Sequence, residues 1–198
     1  MADVGGLAPA LAASRKGFSI RRTKRAEAAP DWALTDGALQ HRSKGFFSVT
    51  GVRDSHGERL MLYQPQGAIN GMLTRRVDGE RQFLFQARAE PGNVGEVQFG
   101  PTFGPTWQQY PGDAEPPPSW LVPHLDDVWG ETRESDEGGR FIDHRSVFRI
   151  ARLSERAPAP PEEAGAWLRL SELKAFLESS TRCNIQLRVI SSHLLGLR

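Results

Sequence analysis

A single cysteine in 198 residues, Cys183, removes any intrachain disulfide framework and fits a reducing compartment. Charge of one sign is also missing: 25 Lys and Arg against 24 Asp and Glu leave a net charge of +1. No bulk field therefore draws the chain to nucleic acid or to a membrane surface. No apolar run reaches the length that spans a bilayer. The segment LAPALAA at 7–13 is short, weakly apolar and followed rather than preceded by basic residues, so it does not read as a signal-peptide core. A soluble, cytoplasmic protein is expected. The five histidines, at 41, 56, 124, 144 and 193, do not pair with one another or with Cys183 at metal-ligand spacing, so no metal site is expected. A nucleophile elbow GxSxG, a P-loop and a GxGxxG turn are all absent.

What is present is a 38% hydrophobic chain with five Trp, fourteen Pro and twenty Gly, enough for one core with many turns. Residues 1–30 read as a flexible N-terminal segment, with a possible short helix at 8–16 and a basic cluster at Arg21, Arg22, Lys24 and Arg25. Residues 31–36 read as a helical turn or a corner anchored by Trp32 and ended by Gly37. Strands are expected at 46–53, 59–66, 68–77 and 81–90, with turns at Asp54–Gly57 and Asp78-Gly79, the latter a strong hairpin signal. Residues 101–118 form a loop rich in Pro, Gly and aromatics. Trp120, Leu121, His124, Leu125, Val128 and Trp129 recur at helical spacing behind Ser119 and predict a helix over 120–129. A polar turn at 131–139, a long strand over 140–153, a linker over 155–166 and helices over 172–179 and 184–197 complete an α+β order.

The stretch from Gln82 to Pro105 carries the densest polar pattern. Phe83, Phe85, Ala87 and Ala89 alternate with Gln82, Leu84, Gln86, Arg88 and Glu90. The polar face is either solvated, with cross-strand pairs, or lines a cavity; the alternation alone does not choose.

Several blocks, taken in order, resemble one family. They are Trp32 with GALQHRSKGFFSVTGVR, then LYQPQGAINGML, then LFQARAEPGNVGEVQFGPT with Tyr110 downstream, then ESDEGGRFIDHRSVFRI, and finally WLRLSELKAFL before NIQLR. The chain resembles the NDP-hexose 2,3-dehydratases of deoxysugar biosynthesis over about residues 31–195. The resemblance implies a Nudix-like mixed sheet with flanking helices, without the Nudix box that binds metal, over a module of residues 31–198. It implies a lyase that removes the C3 proton and the C2 hydroxyl of a nucleotide-linked 4-keto-6-deoxyhexose. No cofactor is implied, because the 4-keto group is the electron sink. Family chains usually carry two copies of this module; one copy and no internal repeat are seen here, which implies a homodimer. The segment after Thr102, Phe103-Gly-Pro-Thr-Trp107-Gln-Gln-Tyr110, departs from the family's VQATRSNY-like pattern. Two other readings stay open: a repurposed module that dehydrates or cyclises a non-sugar natural-product intermediate, and a non-catalytic small-molecule-binding module.

The reaction needs a base, an acid and donors to an enolate oxygen. Under the resemblance Glu90, Arg88 and Tyr110 are the candidate catalytic residues. Gln64, Gln86, Asn93, Thr102, Trp107, Glu137, Arg140 and Arg188 are the candidate substrate-binding residues, with Arg188 a candidate for the diphosphate. Each has a structural alternative: Glu90 holding corner amides, Gly138-Gly139 a plain turn, Arg140 pairing with Glu137 or Asp143.

Overall fold

The structure is a computed structural model that describes residues 12–16, 18–22, 24, 27, 31–42, 47–65, 67–90, 92–104, 119–136, 138–155, 158–161, 164–179 and 182–196. It is an α+β fold of two sheets and two late helices. The first sheet runs in the order β1 (Trp32–Thr35), β2 (Ala38–His41), β3 (Ser48–Asp54), β4 (Gly57–Tyr63) and β9 (Phe141–Ile142). The second runs β11 (Ala166–Arg169), β6 (Glu80–Ala89), β5 (Ala68–Val77), β10 (Arg145–Arg152) and β8 (Val128–Ser135), with β7 (Val97–Pro101) also paired to β6. Helices α1 (Leu170–Ser179) and α2 (Ile185–Gly196) follow. Among the described residues no helix is long and apolar enough to cross a membrane.

Asp78-Gly79 closes the β5–β6 hairpin with φ values of 51° and 81°, the doubly left-handed turn that Asp-Gly favours. Asp36-Gly37 does the same between β1 and β2, with φ values of 51° and 78°. The expected corner or helical turn at 31–36 is therefore a hairpin. Trp32 packs edge-on against His41 at 5.2 Å, across that hairpin.

The expected helix over 120–129 shrinks to one 3-10 turn at Val122–His124. One turn already buries Leu121 and His124. The chain must then supply a partner for the outer edge of β10, and it does so as β8, where a polar turn was expected at 131–139. The expected strand over 140–153 splits at Asp143, whose φ is 44°. Phe141–Ile142 joins the first sheet, parallel to β4, and Arg145–Arg152 joins the second, parallel to β5. The expected linker ends one residue early, in β11, which pairs with β6.

Strand β6 alternates as the sequence predicts. Phe83 and Phe85 enter a core cluster with Met72, Phe99, Phe148 and residues of α1 and α2. Leu84 enters a second cluster with Leu73, Phe103 and Leu121 on the other face. The β5–β6 ladder covers only Thr74–Val77 against Glu80–Phe83, after which the two strands fork. Thr102 fills the fork: its hydroxyl accepts from Leu73 N–H at 2.9 Å and donates to the Leu84 carbonyl at 2.5 Å. Near the N-terminus, Ser14 Oγ donates to the Ala87 carbonyl at 3.2 Å and Arg15 pairs with Glu96 at 3.2 Å.

Candidate active site

A cavity of about 460 Å³ opens where the two sheets meet the first turn of α2. Its floor is the cavity face of β5 and β10, where Ala68 lies beside Ser146 and Asn70 beside Phe148 in parallel register. Its opposite wall is Leu62 and Gln64 at the end of β4 with Phe141 of β9. Ile185, Gln186 and Val189 of α2 close one side. Splitting 140–153 between two sheets at Asp143 is what brings Arg140, Phe141 and His144 to this junction.

The polar cluster at its centre is Asp136, His144 and Ser146. Ser146 Oγ donates to Asp136 Oδ2 at 2.7 Å, and His144 Nδ1 bonds the same oxygen. His144 is only 6% exposed, and its ring stacks on Phe141 at 5.1 Å and 28°. The Asp136 amide also donates to the His144 carbonyl at 3.0 Å, so the two ends of this turn are tied through backbone and side chain. An imidazole oriented by a carboxylate is an acid–base arrangement. Arg140 also lies over Phe141, its guanidinium 4.9 Å from the ring centroid. Glu134 reaches the cavity from β8 and pairs with His193 Nε2 of α2 at 3.1 Å, fastening the helix to the sheet. Among the described residues no group of three or more His, Cys, Asp or Glu is placed to hold a metal ion.

Of the residues that the sequence singles out, Gln64 and Arg140 line this cavity. Gln86, Arg88 and Glu90 do not; Gln86 and Arg88 sit along the far part of β6, where it pairs with β7, and Glu90 follows the strand. Arg88 is 17% exposed in its side chain and Glu90 is 42% exposed, with 3.5 Å between them. Arg88 lies across Gly100 and Gly104, where an added Cβ would come within 2.7 and 2.6 Å of its side chain. Its Nε is buried without a hydrogen-bond partner. Burial pulls this guanidinium below its ordinary range, with Glu90 acting in the opposite direction. Asn93 braces the β6–β7 connection, its amide donating to the Arg88 carbonyl at 2.8 Å. Thr102 is held in the strand fork by both of its hydroxyl bonds. Arg188 is directed to the end of α1, donating to the Leu177 carbonyl at 3.4 Å. Trp107, Tyr110 and Glu137 lie outside the described residues.

Sequence reasoning missed Asn70, Asp136, His144 and Ser146. The signal was available in part: His144, Ser146 and Phe148 alternate along one strand face, and Asp136 precedes them across a Gly-Gly turn.

Comparison with known proteins gives a consistent family. The family model described as NDP-hexose 2,3-dehydratase matches residues 10–194. A dTDP-4-dehydro-6-deoxy-alpha-D-glucopyranose 2,3-dehydratase of Saccharopolyspora spinosa is 30% identical over 182 residues, covering 84% of this chain and 37% of that protein. An enzyme of the same name from Amycolatopsis orientalis is 26% identical over 189 residues, covering 89% of this chain and 40% of that protein. The chain thus spans well under half the length of these curated relatives. Among solved structures, an ADP compounds hydrolase aligns at 15% identity and a TM-score of 0.37, over 83% of this chain and 90% of that one; a likeness that weak carries no argument about chemistry. With a family match across nearly all of its length, this chain belongs to the NDP-hexose 2,3-dehydratase family.

Proposed function

We propose that the chain is a hydro-lyase of deoxysugar biosynthesis, acting on a nucleotide-linked 4-keto-6-deoxyhexose in the cavity between the two sheets. The observation that carries this reading is the Asp136–His144–Ser146 cluster at the centre of a polar cavity in a chain of this family. The C4 ketone acidifies C3–H. The His144 imidazole, oriented by Asp136, takes that proton, and the electron pair moves into an enolate. The C2–O bond then breaks, the His144 imidazolium returns its proton to the departing hydroxyl, which leaves as water, and the resulting enol ketonises to a 3,4-diketo-2-deoxy sugar. Electrons balance within the substrate, so no redox cofactor is required. Arg140, held against Phe141 at the cavity, is suited to the diphosphate, since a guanidinium binds phosphate oxygens in a bidentate fork. Arg88 and Glu90 form a cation–carboxylate pair away from this cavity; in this reading they serve the nucleotide end or a contact between copies.

A homodimer in the cytoplasm, serving antibiotic or other natural-product deoxysugars, is the proposed working form. The non-catalytic alternative makes the opposite prediction for activity. Purified protein is incubated with dTDP-4-keto-6-deoxyglucose and a 3-ketoreductase that traps the diketo product. Conversion supports the lyase. Unchanged substrate, in a sample that light scattering shows to be dimeric, removes it in favour of a binding module. A monomer at micromolar concentration sinks the dimer.

A further inference from the structure

Two side chains in the cavity take no part in the Asp136–His144–Ser146 cluster. Asn70 of β5 is 3% exposed and Gln64 after β4 is 8% exposed, and both line the cavity. Neither carboxamide makes a side-chain hydrogen bond to any described residue, whereas the neighbouring Asp136, His144 and Ser146 are bonded to one another. Among the described residues the one side-chain polar atom shut away without a partner is Arg88 Nε, so these two carboxamides open onto the cavity they line. Two largely buried carboxamides facing one cavity are placed to meet a ligand. Their positions are fixed by the backbone. Asn70 lies in the first half of β5, paired with Phe148 of β10, and Gln64 follows the β4 strand directly. A carboxamide presents a donor and an acceptor side by side. Its complement is a carbonyl next to a hydroxyl, an α-hydroxy ketone, which is the C3–C4 unit of the proposed substrate.

We propose that Asn70 donates through Nδ2 to the C4 oxygen of the substrate, with Gln64 reading a ring hydroxyl from the opposite wall. This deepens the dehydratase reading and rests on it. As His144 takes the C3 proton, the C–H electron pair becomes the C3–C4 double bond and negative charge collects on O4. A fixed donor at that oxygen stabilises the enolate more than the ketone, and so accelerates the step rather than merely tightening binding. When the C2–O bond breaks, the charge returns from O4, the C2–C3 double bond forms and water departs.

The test uses Asn70→Leu, Asn70→Asp and Gln64→Met in the full 198-residue chain. Three quantities are read: turnover of dTDP-4-keto-6-deoxyglucose, exchange of its C3 proton in deuterated water, and ligand-free stability in urea. The expected result for Asn70→Leu is a kcat lower by ~10²–10³-fold with KM within about threefold, the size of effect seen on losing one oxyanion donor. C3 exchange falls in parallel. Ligand-free stability is equal to or above wild type, because an apolar side chain of similar size replaces an amide that has no intramolecular partner. Asn70→Asp loses turnover similarly, since it exchanges the donor for an acceptor, and Gln64→Met raises KM more than it lowers kcat. The assignment is overturned by an Asn70→Leu enzyme that keeps more than a tenth of wild-type kcat. It is also overturned by one that unfolds at clearly lower urea, which would make Asn70 a structural amide. A wild-type chain that neither dehydrates the substrate nor exchanges its C3 proton overturns the dehydratase reading itself. The ligand-completed carboxamides are then judged by the urea result alone.

Discussion

Thr102 and Gln64 show how two buried polar side chains from two sequence blocks take opposite roles. Both are buried polar side chains in segments the sequence marks as functional. Thr102 spends its hydroxyl on two backbone groups at the β5–β6 fork, whereas Gln64 ends in the cavity with its amide unclaimed. Thr102→Val keeps the shape and leaves a buried N–H and C=O without their partner. A loss of about 1–3 kcal/mol in urea unfolding is expected, with turnover per folded molecule unchanged; an unaltered midpoint would contradict the strand-fork role. Cys183 gives a pH-dependent counterpart. It is buried in the main cluster, and burial pushes its thiol up to about 11, from an ordinary 9.0. Between pH 9 and 11 the unfolded chain therefore releases this proton while the folded chain keeps it. Stability contributed by Cys183 is whole below pH 9 and lost as pH rises through 11. Comparing wild type with Cys183→Ala over that range isolates the slope, and the native thiol should react slowly with a disulfide reagent at pH 8.

At the scale of elements, periodicity was legible where one face was apolar and misleading where it was not. The β5–β6 hairpin was readable from Asp78-Gly79 and the alternating Phe83 and Phe85. The same dipeptide at Asp36-Gly37 was passed over because Trp32 and Leu34 beside it are not enough to mark a strand. Strand β8 was unreadable for a different reason. It is an edge strand with charged residues on both faces, and only the exposed edge of β10 makes it a strand. Helix α2 was expected and is present, yet what the sequence did not disclose is that its first turn forms a cavity wall. Asn184 caps that turn, its Oδ1 accepting from Leu187 N–H at 3.0 Å while its own N–H holds Phe99. Asn184→Ala should cost about 1–2 kcal/mol in stability. It should also raise KM, because Ile185, Gln186 and Val189 lose their anchor. A KM unchanged in the face of the stability loss would detach the cap from the site.

For the molecule as a whole, the site is a junction. No single element owns it: β4, β5, β8, β9, β10 and α2 each contribute one or more lining residues. A ligand that fills such a junction binds the folded state alone, so it raises unfolding free energy by mass action. Saturation with dTDP at a hundred times its Kd should add roughly 2.7 kcal/mol. Arg140→Ala should abolish most of that gain while leaving the ligand-free chain within about 0.5 kcal/mol of wild type, as usual for surface-type changes. Stabilisation that survives this substitution would place the diphosphate elsewhere, with the Arg88–Glu90 pair as the next location to examine.

The amino-acid order by itself determined the α+β class, the β5–β6 hairpin, the late helices and, through motif blocks in the right sequence, the family. These are decided by local turn chemistry, short-range periodicity and residue identity along the chain. Which polar residues meet was decided only by the tertiary structure. Gln86, Arg88 and Glu90 look like one functional face because they share a strand, but β7 and the Thr102 wedge settle them away from the sheet junction. Asn70, Asp136, His144 and Gln64 are spread over 81 residues of sequence and share no periodic pattern; two sheets divided at Asp143 bring them around one cavity. Contacts of that kind are set by strand order and register, and neither is encoded in any single stretch of the chain.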